Sequence, residues 1–508
     1  VAQVDQRTGL SEEELIGIIG EYDGLMIRSG TQVTAAVIAA ASRLKIIGRA
    51  GVGVDNVDVP AATQRGVLVV NSPEGNTIAA AEHALAMMLT LSRHIPQAHG
   101  GMRAGKWDRK KYVGNELYKK TLGVVGLGKI GSHVARVAQA MGMEVIAYDP
   151  FIAADRAQRM QVKLLELDEL FRTADYVTLH IPRTKDTENL VNAELLRTMK
   201  PTARIVNCAR GGVVDEAAIA EAIDNGVIAG AGLDVYASEP LAEDSPLRAV
   251  ERGLVLTPHL GASTEEAQEN VAIDVAEQIR DVLLGLPARS AVNIPGLSAE
   301  IMERLKPHLQ LAETVGLLVS QLAGGHVKEM ELRLQGEFAS HPSQPLVIAA
   351  LKGLLSAGLG DSINFVNASL EAKARGIQVL EVKDESSRDF AGGSLQITTR
   401  GDQGSRSVTG AVFADGDLRI TSIDAFPVNV TPSSHMLFTR HRDMPGIIGH
   451  LGSLLGEHNV NIASMQVGRK IVRGDAVMVL SIDDPIPADL LQTITAIDGI
   501  QEAHPVTL

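Results

Sequence analysis

The stretch that most constrains the fold of this 508-residue chain is 121–150, TLGVVGLGKIGSHVARVAQAMGMEVIAYDP. Its glycines, Gly126, Gly128 and Gly131, follow an apolar run and open a helical pattern, and a second apolar run ends in Asp149. A strand, a Gly-x-Gly-x-x-Gly turn, a helix, a strand and an acid, in this order, build the first part of a dinucleotide-binding sheet. The stretch therefore predicts a parallel, doubly wound sheet.

Each of these positions would have a physical role if the turn binds a dinucleotide. Gly126 permits the tight turn, Gly128 lets the backbone approach a pyrophosphate, and Gly131 lets helix and strand pack closely. The helix N-terminus faces the phosphates, and Asp149 accepts hydrogen bonds from the adenosine ribose. Because a carboxylate there repels a 2′-phosphate, the sequence favours NAD over NADP. The alternative is a glycine-rich strand-to-helix turn that binds nothing.

Apolar runs that alternate with helical patterns predict two α/β domains. Residues 1–95 form the first part of one domain, and 96–269 form the NAD-binding domain. In the first, buried parallel strands are expected at Gly24–Arg28, Leu44–Gly51 and Gly66–Pro73. In the second, the strands read TLGVVGL, EVIAYD, YVTLHIP, ARIVNCA, AGAGLDV and LVLTPHL. The apolar helix Thr77–Arg93 is expected to pack one domain against the next.

The pattern changes in the last 200 or so residues. We expect a return segment (270–295), then α+β domains at 296–433 and 434–508. Val292–Glu300 reads as a linker, Glu329–Gln335 alternates as a strand with one wet face, and Ser394–Thr421 reads as antiparallel strands. The last 75 residues read strand, helix, strand, strand, helix, strand, which predicts a ferredoxin-like domain.

Composition limits the partners. The net charge is −14 and no Lys/Arg-rich block stands out, which argues against a nucleic-acid partner. An anionic substrate therefore needs arginines gathered locally. The one cysteine, Cys208, allows no intrachain disulfide and predicts a cytoplasmic protein. No apolar run reaches the ~18 residues of a membrane span, so no membrane partner is predicted.

Three strand ends of the NAD-binding domain carry candidate catalytic groups: NCARGGVVDE, GLDVYASEP and TPHLGAST. The guanidinium fork of Arg210 suits a carboxylate; a surface ion pair or helix cap is its alternative. Asp234 and Glu239 follow in the second segment, where a strand-end turn and a solvated acid are the alternatives. His259 is the usual general acid/base near neutral pH, against a structural histidine. No Cys/His cluster has metal-ligand spacing, so no metal site is predicted.

Together with GRAGVGVDNVD (48–58), these motifs resemble the D-isomer-specific 2-hydroxyacid dehydrogenases over nearly the whole chain. The resemblance implies an α/β chain with a flavodoxin-like substrate domain, a Rossmann NAD-binding domain and α+β regulatory domains. It implies that His259 takes the substrate hydroxyl proton, that Glu239 stabilises the imidazolium, and that Arg210 holds the carboxylate and the developing carbonyl oxygen. The closer likeness is to members that oxidise 3-phospho-D-glycerate with NAD in serine biosynthesis, some of which also reduce 2-oxoglutarate.

The resemblance also implies which residues bind ligands. Cofactor contacts are expected from Gly126, Gly128, Lys129, Ile130, Gly131, Asp149, Ile181, Cys208, Ala209, Asp234 (to the nicotinamide) and Gly261. Substrate contacts are expected from Arg28, Arg49, Gly51, Val52, Gly53 and Arg109. The arginines would supply the local positive charge that a phosphate requires. Arg109 lies in a basic segment, 105–112, that a partner subunit of a homodimer or homotetramer is expected to present; a solvated basic turn is the alternative.

The C-terminal third resembles the regulatory part of the long-form members. NASLEAKARGI (367–377) resembles their intervening domain, which binds substrate or another anion in some relatives; a purely oligomerising role is the alternative. Residues 434–508 resemble an ACT domain, with a turn at Pro445 and Gly446 before a helix that begins near Ile447. ACT domains pair edge to edge and bind amino acids at that interface, and the resemblance implies an L-serine effector near His441, Asp443 and Asn461. The alternative is a dimerisation module without effector.

One departure and two competing functions remain. The family's first domain opens with a strand and a helix before the segment that matches Val1, so the resemblance implies that a buried strand of the substrate domain lies outside this sequence. A dehydrogenase for glyoxylate, hydroxypyruvate or lactate is disfavoured by the C-terminal extension and the extra arginines. A non-enzymatic NAD-sensing protein is disfavoured by the presence of Arg210, Glu239 and His259.

Overall fold

The computed structural model describes residues 3–294, 299–385, 393–413 and 416–508. The chain forms two compact units. The first comprises 1–48, 55–70 and 278–508, and the second comprises 49–54 and 71–277. The glycine turn and all three strand-end segments therefore belong to the second unit. The domain boundaries inferred from the sequence stay predictions.

The first strands form a three-stranded sheet in the order β1-β2-β3. They lie at the predicted apolar runs: β1 (Gly24–Ile27), β2 (Ile46–Arg49) and β3 (Leu68–Asn71). Short helices precede and join them: α1 (Glu12–Ile18), α2 (Ala35–Ala40) and α3 (Val59–Gln64). A capping box begins α1, because Ser11 Oγ accepts from the Glu14 N–H and Glu14 Oε2 accepts from the Ser11 N–H.

The second unit is built on a seven-stranded sheet in the order β10-β9-β8-β7-β4-β5-β6. Its paired strands are parallel, and β7, β8 and β9 are buried along their whole length. The strands are β4 (Thr121–Val125), β5 (Glu144–Tyr148), β6 (Lys163–Leu164), β7 (Tyr176–Leu179), β8 (Arg204–Asn207), β9 (Gly230–Leu233) and β10 (Leu254–Leu256). Chain order reverses between β4 and β7, which makes the carboxyl ends of these strands the switch point where ligands bind. The predicted doubly wound sheet is confirmed; the short edge strand β6 was not foreseen.

The chain from Thr77 to Leu283 also forms α-helices. They are α4 (Thr77–Arg93), α5 (Ile95–Arg103), α6 (Lys129–Ala140), α7 (Ala154–Arg159), α8 (Leu167–Thr173), α9 (Ala193–Leu196), α10 (Glu216–Asp224) and α11 (Glu265–Leu283). The long helix α4 packs against β8, β9 and β10. Gly232 on β9 leaves room for Met87 and Leu91, because an added Cβ would lie 3.3 and 3.2 Å from their side chains. The helix α4 thus covers the sheet behind the strand-end segments.

Beyond the linker segment, of which 295–298 lie outside the described residues, a six-stranded sheet forms in the order β12-β11-β13-β14-β15-β16. The strands are β11 (Val327–Gln335), β12 (Gln378–Asp384), β13 (Ser394–Gly401), β14 (Gly404–Val412), β15 (Leu418–Ile423) and β16 (Phe426–Val430). Only the β11–β12 pair is parallel among these pairs. Along β11 every second residue from Met330 to Leu334 is buried, as its sequence predicts.

Helices cover this sheet: α12 (Ala299–Ala323), α13 (Glu337–Ser340), α14 (Ser343–Leu359) and α15 (Ala368–Ala374). The first and third of them pack closely, because Gly316 and Gly353 admit the partner backbone; an added Cβ would lie 2.3 Å from the Ala350 oxygen and 2.0 Å from the Glu313 oxygen. Asn364, just before α15, donates to the Gly66 carbonyl oxygen at 2.9 Å. The turn just before NASLEAKARGI is therefore joined to the segment that leads into β3.

The C-terminal domain has the predicted order of elements: β17 (His435–Arg442), α16 (Ile447–Glu457), β18 (Ile462–Arg469), β19 (Asp475–Ile482), α17 (Ala488–Thr495) and β20 (Ile500–Thr507). Its antiparallel sheet has the order β18-β19-β17-β20, that of a ferredoxin-like fold. Gly446, with φ of +93°, precedes the helix at Ile447 as expected. Among the described residues, no helix combines the length and apolarity needed to cross a bilayer.

Candidate active site

The glycine turn at the end of β4 has the geometry of a dinucleotide cradle. Gly126 has φ of +94°, and an added Cβ would lie 2.6 Å from the His180 carbonyl oxygen and 2.9 Å from Ile181. At Gly131 an added Cβ would lie 2.0 Å from the Gly126 oxygen. Gly128 differs, because it caps α6 and nothing lies within 4 Å of an added Cβ. That open space is where the sequence expects the pyrophosphate, so these residues fit NAD.

Asp149 lies across this turn at the end of β5. Its Oδ2 accepts the Leu127 N–H at 2.8 Å, and its Oδ1 accepts the Phe151 N–H at 2.9 Å. A carboxylate offers about four acceptor positions, so acceptor capacity remains for ribose hydroxyls. Of the other expected cofactor residues here, Lys129 pairs with Glu74 and Ile130 lies in the first turn of α6. The two backbone donors fix the carboxylate orientation before any cofactor arrives.

The three strand-end segments meet at the carboxyl ends of β8, β9 and β10. Gly211 lies so close to the next segment that an added Cβ would be 1.7 Å from the Tyr236 carbonyl oxygen. Asp234 in turn accepts hydrogen bonds from Thr257 Oγ1, Leu260 N–H and Gly261 N–H, at 2.6, 2.7 and 2.8 Å. The sheet therefore brings together the segments that the sequence singled out.

Glu239 and His259 are in direct contact. Glu239 Oε2 lies 2.7 Å from His259 Nδ1, and Glu239 Oε1 accepts the Tyr236 N–H at 3.1 Å. About half of the His259 side chain is exposed, which leaves it accessible to a substrate. His259 has φ of +55°, a left-handed conformation that costs a non-glycine residue about 1–3 kcal/mol and is found preferentially at functional sites. This contact was not readable from the sequence.

Arg210 follows β8 in the NCARGG segment. Its Nη1 donates to the Ala209 carbonyl oxygen at 2.7 Å, and its own carbonyl oxygen accepts from Asn207 Nδ2 at 2.9 Å. Asn207 is buried and also accepts the Ala209 N–H through Oδ1, at 3.0 Å. The side chain of Asn207 therefore shapes the turn that carries Arg210.

Burial, and then the nearby Asp234 charge, raise the pKa of the Cys208 thiol, so this cysteine is no nucleophile at neutral pH.

Asp234 is fully buried and serves as the centre of this network. Burial alone would raise its pKa, but hydrogen bonds from His83, Thr257 and Leu260 outweigh burial and hold the pKa below its usual value. His83, on α4, was missed by the sequence reasoning; a lone histidine in an apolar helix was its only signal. His83, Cys208 and Asp234 hold ligand-type atoms within 4.8 Å of one another. Because the Asp234 oxygens already accept four hydrogen-bond donors, we assign this group to hydrogen bonding.

The expected substrate residues divide between the two units. In the second unit, Gly51 has φ of +145° and leaves the space that the Arg49 guanidinium occupies, 1.5 Å from an added Cβ. The same loop is held at Val52, whose carbonyl oxygen accepts from Asn71 Nδ2 at 2.6 Å. Gly53 follows directly in the loop. Arg109, in a 3₁₀ turn of this unit, and Arg28, at the end of β1 in the other unit, are both exposed.

The expected effector residues lie at two ends of the C-terminal sheet. His441, at the end of β17, is buried, and Asp443 accepts from Arg469 Nη1 and the Arg473 N–H, both at 3.0 Å. Asn461 precedes β18, and its Nδ2 donates to Asp483 Oδ2 at 2.7 Å. The register pairs His441 with Ala476 but Ile462 with Ile482, at the opposite end of β19. A single chain therefore does not gather these three residues.

Three family models match separate stretches of the chain. Residues 85–261 match the NAD binding domain of the D-isomer specific 2-hydroxyacid dehydrogenases. Residues 304–424 match the D-3-phosphoglycerate dehydrogenase intervening domain, and 435–499 match the ACT domain.

Similar proteins agree with these matches. A D-3-phosphoglycerate dehydrogenase of Synechocystis sp. is 63% identical over 100% of this chain and 91% of its own length. One from Archaeoglobus fulgidus is 44% identical over 100% of this chain and 96% of its own length. Among solved structures, D-lactate dehydrogenase from Escherichia coli matches 56% of this chain and 89% of its own, with a TM-score of 0.51 and 30% identity. The pyruvate reductase of Chlamydomonas reinhardtii matches 55% of this chain and 88% of its own, with a TM-score of 0.51 and 31% identity.

Three observations indicate the same family. They are the glycine turn that fits NAD, the histidine–carboxylate pair next to the strand end that carries Arg210, and the similarity to these enzymes over the full length of the chain. The chain belongs to the D-3-phosphoglycerate dehydrogenases, NAD-dependent oxidoreductases of the D-isomer specific 2-hydroxyacid dehydrogenase family.

Proposed function

We propose that this chain oxidises 3-phospho-D-glycerate to 3-phosphohydroxypyruvate with NAD, the first step of L-serine biosynthesis. The observation that carries the proposal is the 2.7 Å contact between Glu239 Oε2 and His259 Nδ1, at the strand ends beside the dinucleotide cradle. The names of the full-length relatives support the choice of substrate.

His259 acts as the general base. A carboxylate can only accept, so the proton between the two groups lies on His259 Nδ1, and the neutral ring presents Nε2 as the acceptor for the substrate hydroxyl proton. When Nε2 takes this proton, the imidazolium that forms is stabilised by the negative charge of Glu239. The second Glu239 oxygen is already held by the Tyr236 N–H, so the carboxylate is oriented before the substrate binds.

Arg210 binds the substrate carboxylate and draws electron density from the C2 oxygen as the carbonyl forms. Its guanidinium is always charged and matches a carboxylate with two parallel hydrogen bonds. The close packing of Gly211 against the Tyr236 carbonyl holds this strand end beside the segment that carries Glu239. The base and the anchor are thereby positioned together.

NAD, when bound, accepts the hydride from C2 of the substrate. The chain's contribution is to orient it: Asp149 would hold the ribose, and the first N–H groups of α6 would face the pyrophosphate. Asp234, whose oxygens already hold the Leu260 and Gly261 N–H groups, would shape the nicotinamide end of the site. Ile181, Cys208, Ala209 and Gly261 line the same end in this proposal. These assignments are supported by the open space at Gly128 and the spare acceptor capacity of Asp149.

The direct test compares NADH formation from 3-phospho-D-glycerate and from D-glycerate, with lactate, glyoxylate and hydroxypyruvate run in their respective directions. We expect the phosphorylated acid to give the highest kcat/KM. A preference for an unphosphorylated acid would move the proposal to another 2-hydroxy acid, and no turnover with any of them would favour an NAD-binding sensor. Reduction of 2-oxoglutarate by NADH is a side reaction to assay in the same series.

Arg49 is proposed to provide part of the positive charge for the phosphate. Replacing Arg49 by Ala removes a charged donor, and a hydrogen bond to a charged group contributes about 1.5–3 kcal/mol. We therefore expect kcat/KM for 3-phospho-D-glycerate to fall roughly 10–100-fold, while D-glycerate changes little. Steady-state kinetics with the two acids measure this difference.

The matched control is Arg43→Ala, which removes an exposed arginine paired with Asp23 at 2.7 Å. It changes the net charge by the same amount and should leave both substrates unaffected. Equal losses for phosphorylated and unphosphorylated acids in Arg49→Ala would refute the phosphate role.

We further propose that the chain acts in the cytoplasm as a homodimer or homotetramer with L-serine as effector, bound near His441, Asp443 and Asn461. Since one chain separates Asn461 from the other two, such a site needs a second copy. Adding L-serine to the assay tests the effector, and light scattering tests the assembly. Full activity at millimolar L-serine would leave the ACT domain an assembly role alone.

A further inference from the structure

His83 is a polar residue on the buried face of α4. Its helical neighbours Ala79, Ala80, Ala84 and Met87 are buried and apolar. Nε2 of His83 nevertheless lies 3.2 Å from Asp234 Oδ1 and 3.2 Å from Thr257 Oγ1, and the side chain is mostly buried. A polar ring in such a place needs hydrogen-bond partners, and these two are both at the strand ends of the active site.

The direction of these hydrogen bonds is set by chemistry. Thr257 Oγ1 donates to Asp234 Oδ1 at 2.6 Å, and the carboxylate, whose pKa is held low, has no proton to give. The close approach of His83 Nε2 to Oδ1 is therefore favourable only when Nε2 carries the proton. Because Thr257 Oγ1 gives its own proton to Asp234, it can accept from Nε2, so His83 donates to the Thr257–Asp234 pair. Asp234 Oδ1 also accepts the Leu260 N–H.

Asp234 in turn controls the segment that carries His259. Its carboxylate accepts the N–H groups of Leu260 and Gly261, and its carbonyl oxygen accepts the His259 N–H at 2.8 Å. Asp234 therefore holds the backbone N–H of His259 itself and those of the next two residues. This anchoring offsets the cost of the left-handed conformation at His259.

We propose that His83 is a positioning residue for hydride transfer: it donates to the Thr257–Asp234 pair and, through that pair, holds Thr257–Gly261 so that His259 faces Glu239. The proposal rests on the dehydrogenase function proposed above. The route runs from α4 to the catalytic histidine without contact between His83 and the substrate. A change at His83 should therefore affect the chemical step more than substrate affinity.

Two substitutions separate this role from simple packing. His83→Leu fills the space but removes the donor, and His83→Gln keeps an N–H near the position of Nε2. Loss of a hydrogen bond to a buried charge, and the small displacement of the base that follows, should lower kcat about tenfold or more in His83→Leu. KM for the hydroxy acid should stay within about twofold, because Arg210 binds its carboxylate. His83→Gln should recover most of the lost turnover.

The control is His458→Leu, which replaces an exposed histidine at the end of α16 and should change neither parameter. Thermal unfolding identifies any variant that loses its fold. Should His83→Leu not fold, His83→Asn serves instead, since its amide is too short to reach Asp234. Two results would overturn the proposal. One is a kcat within about twofold of wild type in His83→Leu, or in His83→Asn where that replaces it. The other is a kcat of His83→Gln that is no higher than that of the variant without a donor.

The variants are compared on whichever 2-hydroxy acid the wild-type enzyme oxidises fastest. The test of His83 therefore remains valid even if 3-phospho-D-glycerate is not the substrate. A readout without substrate is hydrogen exchange of the Leu260 and Gly261 amides, the two N–H groups that donate to the Asp234 carboxylate. These amides should exchange faster in His83→Leu than in wild type or His83→Gln. Unchanged exchange in His83→Leu would contradict the route through Asp234 even if wild-type activity were absent.

Discussion

His259→Asn should abolish most of the turnover while leaving NAD binding intact. Asparagine tolerates the left-handed backbone that His259 adopts, with φ of +55°, so the loop is kept and only the base is removed. Loss of a general base typically lowers the rate by roughly 10²–10⁴-fold. Steady-state NADH formation measures the loss, and a fluorescence titration with NADH measures whether the cofactor still binds.

Glu239→Gln is the informative companion. It removes the charge that stabilises the imidazolium but keeps an oxygen that can accept from Nδ1, so a smaller loss than in His259→Asn is expected. The control is His458→Asn, which replaces an exposed histidine of the C-terminal domain and should change neither turnover nor NAD binding. A His259→Asn enzyme with wild-type turnover would remove His259 from the chemistry and leave its contact with Glu239 a structural ion pair.

Much of this architecture was readable from periodicity and turn chemistry. The strands β4, β5, β7, β8, β9 and β10 lie within the apolar runs of the sequence, because a strand buried on both faces has to be apolar along its length. Their carboxyl ends gather at one edge of a parallel sheet, so NCARGG, DVYASEP and PHLGAST had to be neighbours once that sheet was inferred. The ferredoxin-like order at the C-terminus followed from the alternation of its elements.

The contacts that decide the chemistry were not readable in this way. Glu239 and His259 belong to loops whose paths depend on close packing, such as that of Gly211 against Tyr236, and not on periodicity. His83 is 174 residues from its partner Thr257 and lies in a helix whose pattern reports burial alone. In the C-terminal third, the parallel pairing of β12 with β11 likewise depends on a crossover that no local motif specifies.

Two alanine substitutions three positions apart should separate folding from cofactor binding in the glycine turn. Gly131→Ala places a Cβ 2.0 Å from the Gly126 carbonyl oxygen, a backbone atom that cannot move aside without opening the turn. Overpacking of this kind costs about 1–3 kcal/mol or more, so we expect a clear fall in the free energy of unfolding. Urea or thermal unfolding of the apo-protein measures it, and Gly452→Ala, in α16 with nothing near its added Cβ, is the control.

Gly128→Ala should behave in the opposite way. Nothing lies within 4 Å of its added Cβ, and φ of −64° suits alanine, so the apo-protein should keep its stability to within about 1 kcal/mol. The methyl group would, however, stand where the backbone approaches the pyrophosphate, and loss of a hydrogen bond to a charged group should raise the Kd for NAD roughly 10–100-fold. If Gly128→Ala bound NAD as wild type does, the turn would be a packing device and the cofactor would have to approach the sheet elsewhere. Because both substitutions add the same methyl group, the difference between them reports only what each glycine leaves room for: a neighbouring strand end or a phosphate.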